Sequence, residues 1–418
     1  MWCGFVGSNH LYALDLGTTK FCLASLKLHG GQTKPTLDLV TIPAAGMRRG
    51  MVSDMREAAR GLSQLLDAAE KQLELDIRKV VVGIAGSHLR GFHTKISQEM
   101  NEQIIADSHI LALQDQAEQT KRAPDREILH AVPVKFDLDH RQSVANPIGF
   151  SASKMEAEFF LVEADRLYLK DVIRLCNQAG LEVSRLYSEP FASASVTVDD
   201  EKKNLGVVIA DIGGGTTDGV VFQNGAPSGA FSLNVGGTLL TSDLCVAFNL
   251  SVAEAERVKI FFGLDKSSDR NLIVSNIKGE SKTLHSKDVY PVLGARIFEL
   301  CEMLGQELKK FKGSLGGGII LTGGGSEILG IDSFMQQIFK IPTVKSCPTL
   351  AFGQLNTLSV NSDRKIEHAL MYPSKFATAM GLLNLELVRT RESQADPKTT
   401  GWTSRYMNQL VRWLKEMT

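Results

Sequence analysis

Asp15-Leu16-Gly17-Thr18-Thr19-Lys20 sets a carboxylate, a glycine, two hydroxyls and an ammonium along one short stretch. Apolar runs flank it, Leu11 to Leu14 before and Phe21 to Leu28 after, so the stretch reads as the turn of a hairpin. The same chemistry recurs far along the chain in Asp211-Ile212-Gly213-Gly214-Gly215-Thr216-Thr217-Asp218, between the apolar runs 205–210 and 219–223. A third glycine turn, Thr322-Gly323-Gly324-Gly325-Ser326, follows Ile319-Ile320-Leu321. Glycine turns between strands leave backbone N–H groups open to an anion such as phosphate. Thr18, Thr19, Thr216 and Thr217 add hydroxyl donors, and Lys20 adds a point charge suited to β- and γ-phosphate oxygens. Asp15 and Asp211, at strand ends, offer oxygens to a hydrated Mg2+. Glycines at 323–325 allow close backbone approach to an adenosine or an α-phosphate. One such turn alone is an ordinary hairpin. Two copies and the third turn together point to a nucleoside triphosphate clamped between two hairpins.

The elements that must position these turns follow from periodicity. The chain has 418 residues, 43% hydrophobic and 22% charged, with a formal net charge of −1, which fits a soluble globular chain of two to four subdomains. Near-neutral charge counts against a nucleic-acid partner. Six cysteines without a CxxC pair exclude a cysteine-rich metal site and read as reduced thiols. No stretch is apolar enough to span a bilayer, and the start lacks a basic leader, so a cytoplasmic protein is expected.

A helix is expected over 54–75, with Asp54 and Glu57 in capping-box spacing, and a buried strand over 79–85. The more polar stretch 87–163 reads as an inserted small subdomain and contains the turn Asn146-Pro147-Ile148-Gly149. Helices are expected over 165–179, after the cap Ser251, over 291–312, near 333–339 and over 376–388. Residues 389–401 lack apolar periodicity and read as a flexible linker. In the tail, Trp402, Tyr406, Met407, Leu410, Val411, Trp413, Leu414 and Met417 recur at steps of three and four, beside Arg405, Arg412 and Lys415. A helix would gather these on one face, suited to an anionic lipid surface, with docking on another domain or pairing with a partner helix as the alternatives.

The order of motifs resembles the actin/Hsp70/sugar-kinase ATPase superfamily, and within it the FtsA family of bacterial cell-division actin homologues. Residues 13–20 resemble the family's phosphate-1 motif, 211–218 its phosphate-2 motif and 320–326 its adenosine motif. Gly46-Met47-Arg48-Arg49-Gly50, Gly86-Ser87-His88 and Asn146-Pro147-Ile148-Gly149 resemble FtsA more narrowly. The resemblance implies an actin-like ATPase fold, with two duplicated ribonuclease-H-like halves and a subdomain 1C insertion. It implies subdomain 1A over 1–86 and 164–203, 1C over 87–163, 2A over 204–236 and 314–368, 2B over 237–313, a 1A closing helix over 369–388, the linker 389–401 and a membrane-targeting helix over 402–418.

It also implies ATP and Mg2+ as cofactors, with Asp15, Gly17, Thr18, Thr19, Lys20, Gly213, Gly214, Gly215, Thr216, Thr217, Gly323, Gly324, Gly325 and Ser326 around the nucleotide. Residues 253–259 resemble the helix that contacts ribose and adenine, which gives Glu256 and Lys259 that role. Ser188-Glu189-Pro190 resembles the first connecting motif, whose acid orients the attacking water, so Glu189 and Asp211 are the candidate catalytic pair of an at most weak ATPase. The implied partners are the FtsZ C-terminal tail, with Arg296 in 2B as a candidate contact, further copies of the chain packed head to tail, anionic lipid and other divisome proteins. The implied place is the cytoplasmic face of the inner membrane at midcell. A PilM-like assembly platform and a small-molecule kinase of the same fold are the alternative readings.

Overall fold

A computed structural model describes residues 10–28, 35–121, 123–139, 143–265, 269–311, 313–350, 357–360, 364–367 and 373–394. The first apolar runs form the antiparallel pair β1 (His10–Leu16) and β2 (Lys20–Lys27), which close with Leu16 opposite Phe21. β3 (Thr36–Pro43) and a short hairpin, β4 (Met47–Arg48) and β5 (Met51–Val52), follow. Helix α1 (Met55–Leu73) starts where the Asp54 carboxylate accepts from the amides of Arg56 and Glu57, two donors the helix itself leaves unpaired. Its Ala58, Leu62, Leu65 and Ala69 share one face and are buried. β6 (Lys79–Ile84) enters the same sheet parallel to β1.

β7 (Arg90–Glu99), α2 (Asp107–Lys121), β8 (Arg126–Leu138) and β9 (Lys154–Asp165) form an insert: a three-stranded antiparallel sheet ordered β7-β9-β8 with its own core around Ile110, Leu113, Met155 and Phe159. The chain then returns through α3 (Arg166–Gln178), β10 (Glu182–Ser188), α4 (Glu189–Thr197) and α5 (Asp200–Leu205).

The second half holds β11 (Val207–Ile212), β12 (Thr217–Gln223), β13 (Ala226–Leu233), α6 (Gly237–Phe248) and α7 (Val252–Phe262). A hairpin, β14 (Asn271–Ser275) and β15 (Ser281–His285), leads into α8 (Ser286–Leu308). β16 (Gly318–Thr322), α9 (Ile331–Phe339), β17 (Thr343–Lys345), β18 (Thr357–Val360), β19 (Arg364–Glu367) and α10 (Ala377–Gln394) complete the described chain.

Strand order reveals the duplication. The first sheet runs β10-β6-β1-β2-β3 with β18-β19 added at its edge, and the second runs β17-β16-β11-β12-β13. In each, the leading hairpin is antiparallel, its first strand pairs in parallel with a later strand, and a further parallel strand lies outside. This is the actin-like architecture of two related halves. Helices α4 and α10 cross between the sheets. At the crossing, a Cβ on Gly381 would lie 1.9 Å from the Ala192 carbonyl oxygen, so only glycine fits.

Two expected boundaries shift. α8 begins at Ser286 and ends at Leu308, with Pro291 inside its early turns rather than at its start. The Ser286 amide, bonded to the Arg270 carbonyl, ties that start to the hairpin. α10 continues to Gln394, so the first part of the expected linker, 389–394, is helical. Arg389 pairs with Glu386, and the Thr390 hydroxyl donates to the Glu386 carbonyl, contacts at helical spacing that carry the helix past 388. The expected lipid-facing residues Trp402, Tyr406, Met407, Leu410, Val411, Trp413, Leu414 and Met417 lie outside the described residues.

Candidate functional site

The two Asp-Gly-Thr turns meet across a cleft. A Cβ on Gly214 would strike the Thr19 side chain at 2.4 Å, and one on Gly215 would strike the Thr18 hydroxyl at 2.7 Å. The glycines therefore let two facing hairpins approach until their turns touch. Between the halves lies a cavity of about 1240 Å³, roomier than the roughly 300–1,000 Å³ typical of small-ligand sites. Asp15, Gly17, Thr18, Thr19 and Lys20 line one side of it. Gly213, Gly214, Gly215, Thr216 and Asp211 line the other, with Gly323, Gly324, Gly325, Glu256, Lys259 and Glu189 completing the wall.

Several of the polar groups in the wall are held by defined contacts. Lys20 Nζ lies 3.0 Å from Asp15 Oδ2, an ion pair within one hairpin turn. Asp211 Oδ2 accepts from the Ser193 hydroxyl on α4 at 2.6 Å and from Thr378 on α10 at 3.0 Å, so both crossing helices fix it. Lys259 Nζ reaches Glu256 Oε2 at 2.7 Å, Thr241 Oγ1 at 3.0 Å and the Gly237 carbonyl at 3.2 Å. This trio is braced toward the α6 end of the cavity.

Two predicted ligand groups face elsewhere. The Thr217 hydroxyl is fully buried and donates to the Val235 carbonyl, and the Ser326 hydroxyl donates to the Gly323 carbonyl. Both shape their turns and neither lines the cavity. Gly323 and Gly325 have a packing reason as well: a Cβ on them would meet Asp211 Oδ1 at 2.2 Å and Ile212 Cγ2 at 2.4 Å. Arg296 stands apart from the cleft on α8, paired with Asp243 at 2.7 Å and with Glu299.

Sequence reasoning passed over Asp218, Ser193, Thr378 and Lys375. Asp218 was visible, because it closes the second motif, and the hairpin register sets it directly opposite Asp211. In the first hairpin the residue opposite Asp15 is Cys22, a buried thiol pushed up to about 12 by desolvation.

The cleft carries excess negative charge. Burial first, and then the charges of Asp15, Asp211 and Asp218, push the Glu189 carboxyl well above the ordinary carboxyl range, with Lys20 offsetting only part. Burial pushes Asp218 up to about 6, and it also raises Asp211 against the hydrogen bonds from Ser193 and Thr378. Oxygen donors short of positive charge fit a hard divalent cation and a ligand that brings one.

The ligand-free protein then has a signed pH response. An acid whose folded value is raised keeps a proton that the unfolded chain has lost. Its contribution is full below the ordinary carboxyl range and declines as pH rises through the folded value, at about 1.4 kcal/mol per pH unit for each such proton. Glu189→Gln removes this loss. Thermal melts without ligand should show the variant more stable than the parent at pH 8, with the gap shrinking toward pH 4. A gap independent of pH would contradict the assignment.

With this geometry in place, likeness to known proteins becomes specific. A family model described as "Cell division protein FtsA" matches residues 208–381, and one described as "SHS2 domain inserted in FTSA" matches residues 86–163. The second match falls on the three-stranded insert. The chain belongs to the FtsA family. The cell division protein FtsA of Neisseria meningitidis is 29% identical over 388 residues, 90% of each chain. FtsA of Escherichia coli K12 is 24% identical over 420 residues, 96% of this chain and 97% of that one. FtsA of Bacillus subtilis is 27% identical over 349 residues, 80% of this chain and 78% of that one.

Among solved structures, one titled as a PilM-PilN type IV pilus biogenesis complex aligns with a TM-score of 0.61 at 19% identity, covering 89% of this chain and 97% of that one. MreB5 of Spiroplasma citri bound to ADP aligns with a TM-score of 0.55 at 16% identity, covering 93% and 99%. These likenesses show that this FtsA family member has the actin-like fold. Among the described residues no helix is long and apolar enough to cross a membrane.

Proposed function

We propose that this chain is the nucleotide-gated membrane tether of the division machinery. The observation that carries the reading is the pair of Asp-Gly-Thr hairpins opening onto one cavity in a chain of the FtsA family. The cleft binds ATP, with the turns at 17–20 and 213–216 around the phosphates and Gly323 to Gly325, Glu256 and Lys259 around the nucleoside. The ADP named for the MreB5 structure supports a nucleotide in a cleft of this fold. Asp15 and Asp211 hold Mg2+ through water, and the cation supplies the positive charge these buried acids lack. Glu189, at the first residue of α4, orients a water toward the terminal phosphate once added positive charge has released its proton. Whatever turnover results is weak, and the main output is closure of the two halves and head-to-tail assembly of protomers.

The output surfaces follow the same reading. Subdomain 2B, about 237–313, receives the short acidic-to-apolar tail of FtsZ. Arg296 enters such a contact by exchanging Asp243 or Glu299 for an acid of the tail. The segment 402–418 docks on anionic lipid, and polymerised protomers add avidity to a helix that binds weakly alone. Other divisome proteins join at the cytoplasmic face of the inner membrane at midcell. The test is sedimentation with anionic vesicles. Trp413→Glu, which asks a charge to enter the lipid interface at a cost of about 2 kcal/mol or more, should abolish co-sedimentation and leave Mg-ATP affinity unchanged. Retained co-sedimentation would remove the segment as the anchor.

A further inference from the structure

The insert touches both halves of the molecule. On one side, His93 Nε2 lies 3.2 Å from the Ser228 carbonyl of β13, and Gly91 packs so near Ala230 that an added Cβ would sit 3.2 Å away. On the other side, β8 slips register between Ile128 and His130. Such a bulge re-aims neighbouring side chains. Here Leu129 enters the core of the first half, and His130 turns to the chain entering α4. His130 Nε2 accepts from the Ser188 amide at 2.9 Å. Ser188 is the N-cap of α4, its side chain makes no capping bond, and the next residue is Glu189.

The His130 ring also lies on Phe191, 5.1 Å between centroids at 19°. Phe191 in turn meets Phe160 of the insert and Phe222 of β12, each at 6.2 Å. One short helix therefore carries Glu189 to the cavity, Ser193 to Asp211 and Phe191 to the insert. A body packed on two halves cannot stay fixed to both when those halves rotate about the cleft. The contact with α4 is buried, hydrogen-bonded and aromatic, whereas the β7–β13 seam joins through the small residues Gly91 and Ala230 and one exposed hydrogen bond from His93.

We propose that His130, supplied by the insert, is a positioning residue for Glu189, and that through this joint the insert is coupled to the state of the cleft. The insert travels with α4, and the seam between β7 and β13 is where relative motion is taken up. This rests on the nucleotide reading given above.

The test is amide hydrogen exchange on the full chain, with and without Mg2+ and a non-hydrolysable ATP analogue. It is run below the concentration at which protomers sediment, and at ligand levels that calorimetry shows to saturate each variant. In the parent protein, ligand should change exchange at least about fivefold in β7 and β13, while residues 187–192 stay protected. His130→Leu keeps volume and removes the acceptor. It should speed exchange over 187–192 about tenfold and reduce the ligand response of β7 and β13 below about twofold. His130→Gln, which keeps an acceptor, should restore both. Should His130→Leu fail to fold, Phe191→Leu should show the same loss of response. A full response in His130→Leu, or bound ligand with no response in the parent, overturns the coupling alone. Failure of the parent to bind the analogue by calorimetry overturns the nucleotide reading, and the coupling with it.

Discussion

Alanine in place of Lys20 should lower the affinity for Mg-ATP by about a hundredfold or more in calorimetry. Lys20 Nζ sits 3.0 Å from Asp15 Oδ2, in a cavity wall that also holds Glu189, Asp211 and Asp218. Opposite charges hold that ammonium in its protonated form against the cost of burial, Asp15 chief among them and Asp211 adding. Removing one member of such a pair typically costs about 2–5 kcal/mol, much of it from the charge left behind. At about 1.4 kcal/mol per tenfold, that spans roughly thirtyfold to several thousandfold. Here the remaining charges are carboxylates facing a polyanionic ligand, so the upper part of the range applies. Asp211→Ala should also weaken binding, with metal dependence lost alongside. Unchanged affinity in either variant would discard the site assignment.

The second large effect falls on stability. Gly381→Ala adds only a methyl group, yet that carbon would lie 1.9 Å from the Ala192 carbonyl oxygen and 2.2 Å from its carbon. Backbone cannot rotate aside as a side chain does, so α10 must lift from α4. Overpacking of a tight core contact costs about 1–3 kcal/mol and more where backbone must move; a loss of about 3 kcal/mol or more is expected in urea unfolding. The damage should reach the cleft, because α4 carries Ser193 and α10 carries Thr378, the two donors to Asp211. Val388→Ala, on an exposed part of the same helix, should change stability by less than about 1 kcal/mol. Equal effects at the two positions would show that the crossing is not tightly packed.

What was legible in the sequence was what is local. Asp15 to Lys20 and Asp211 to Asp218 are turns, so residue type and spacing carry their chemistry. Their repetition announced a duplicated fold, which the matching strand orders bear out. Ser193 and Thr378 were not legible, because their meaning lies in a helix crossing that joins residues far apart in the chain. The placement of the Thr217 and Ser326 hydroxyls was not legible for a related reason. A hydroxyl in a glycine turn can face a ligand or bond a nearby carbonyl, and only three-dimensional placement decides; here Val235 and Gly323 supply the carbonyls. The missing side chain of Gly323, which leaves room for a ligand, leaves room for Asp211 as well. The helix expected over 291–312 starts earlier, at Ser286, where the hairpin before it holds the first turn, and contacts between Glu386 and both Arg389 and Thr390 outweigh the polar composition of 389–394.

The most direct measurement is a crystal structure of the protein grown with Mg2+ and a non-hydrolysable ATP analogue. Triphosphate density lying between the turns at 17–20 and 213–216, with Asp15 and Asp211 both facing one metal hydration shell, is the predicted result. Density placed elsewhere, or a cleft that stays without nucleotide at saturating concentration, would contradict the account.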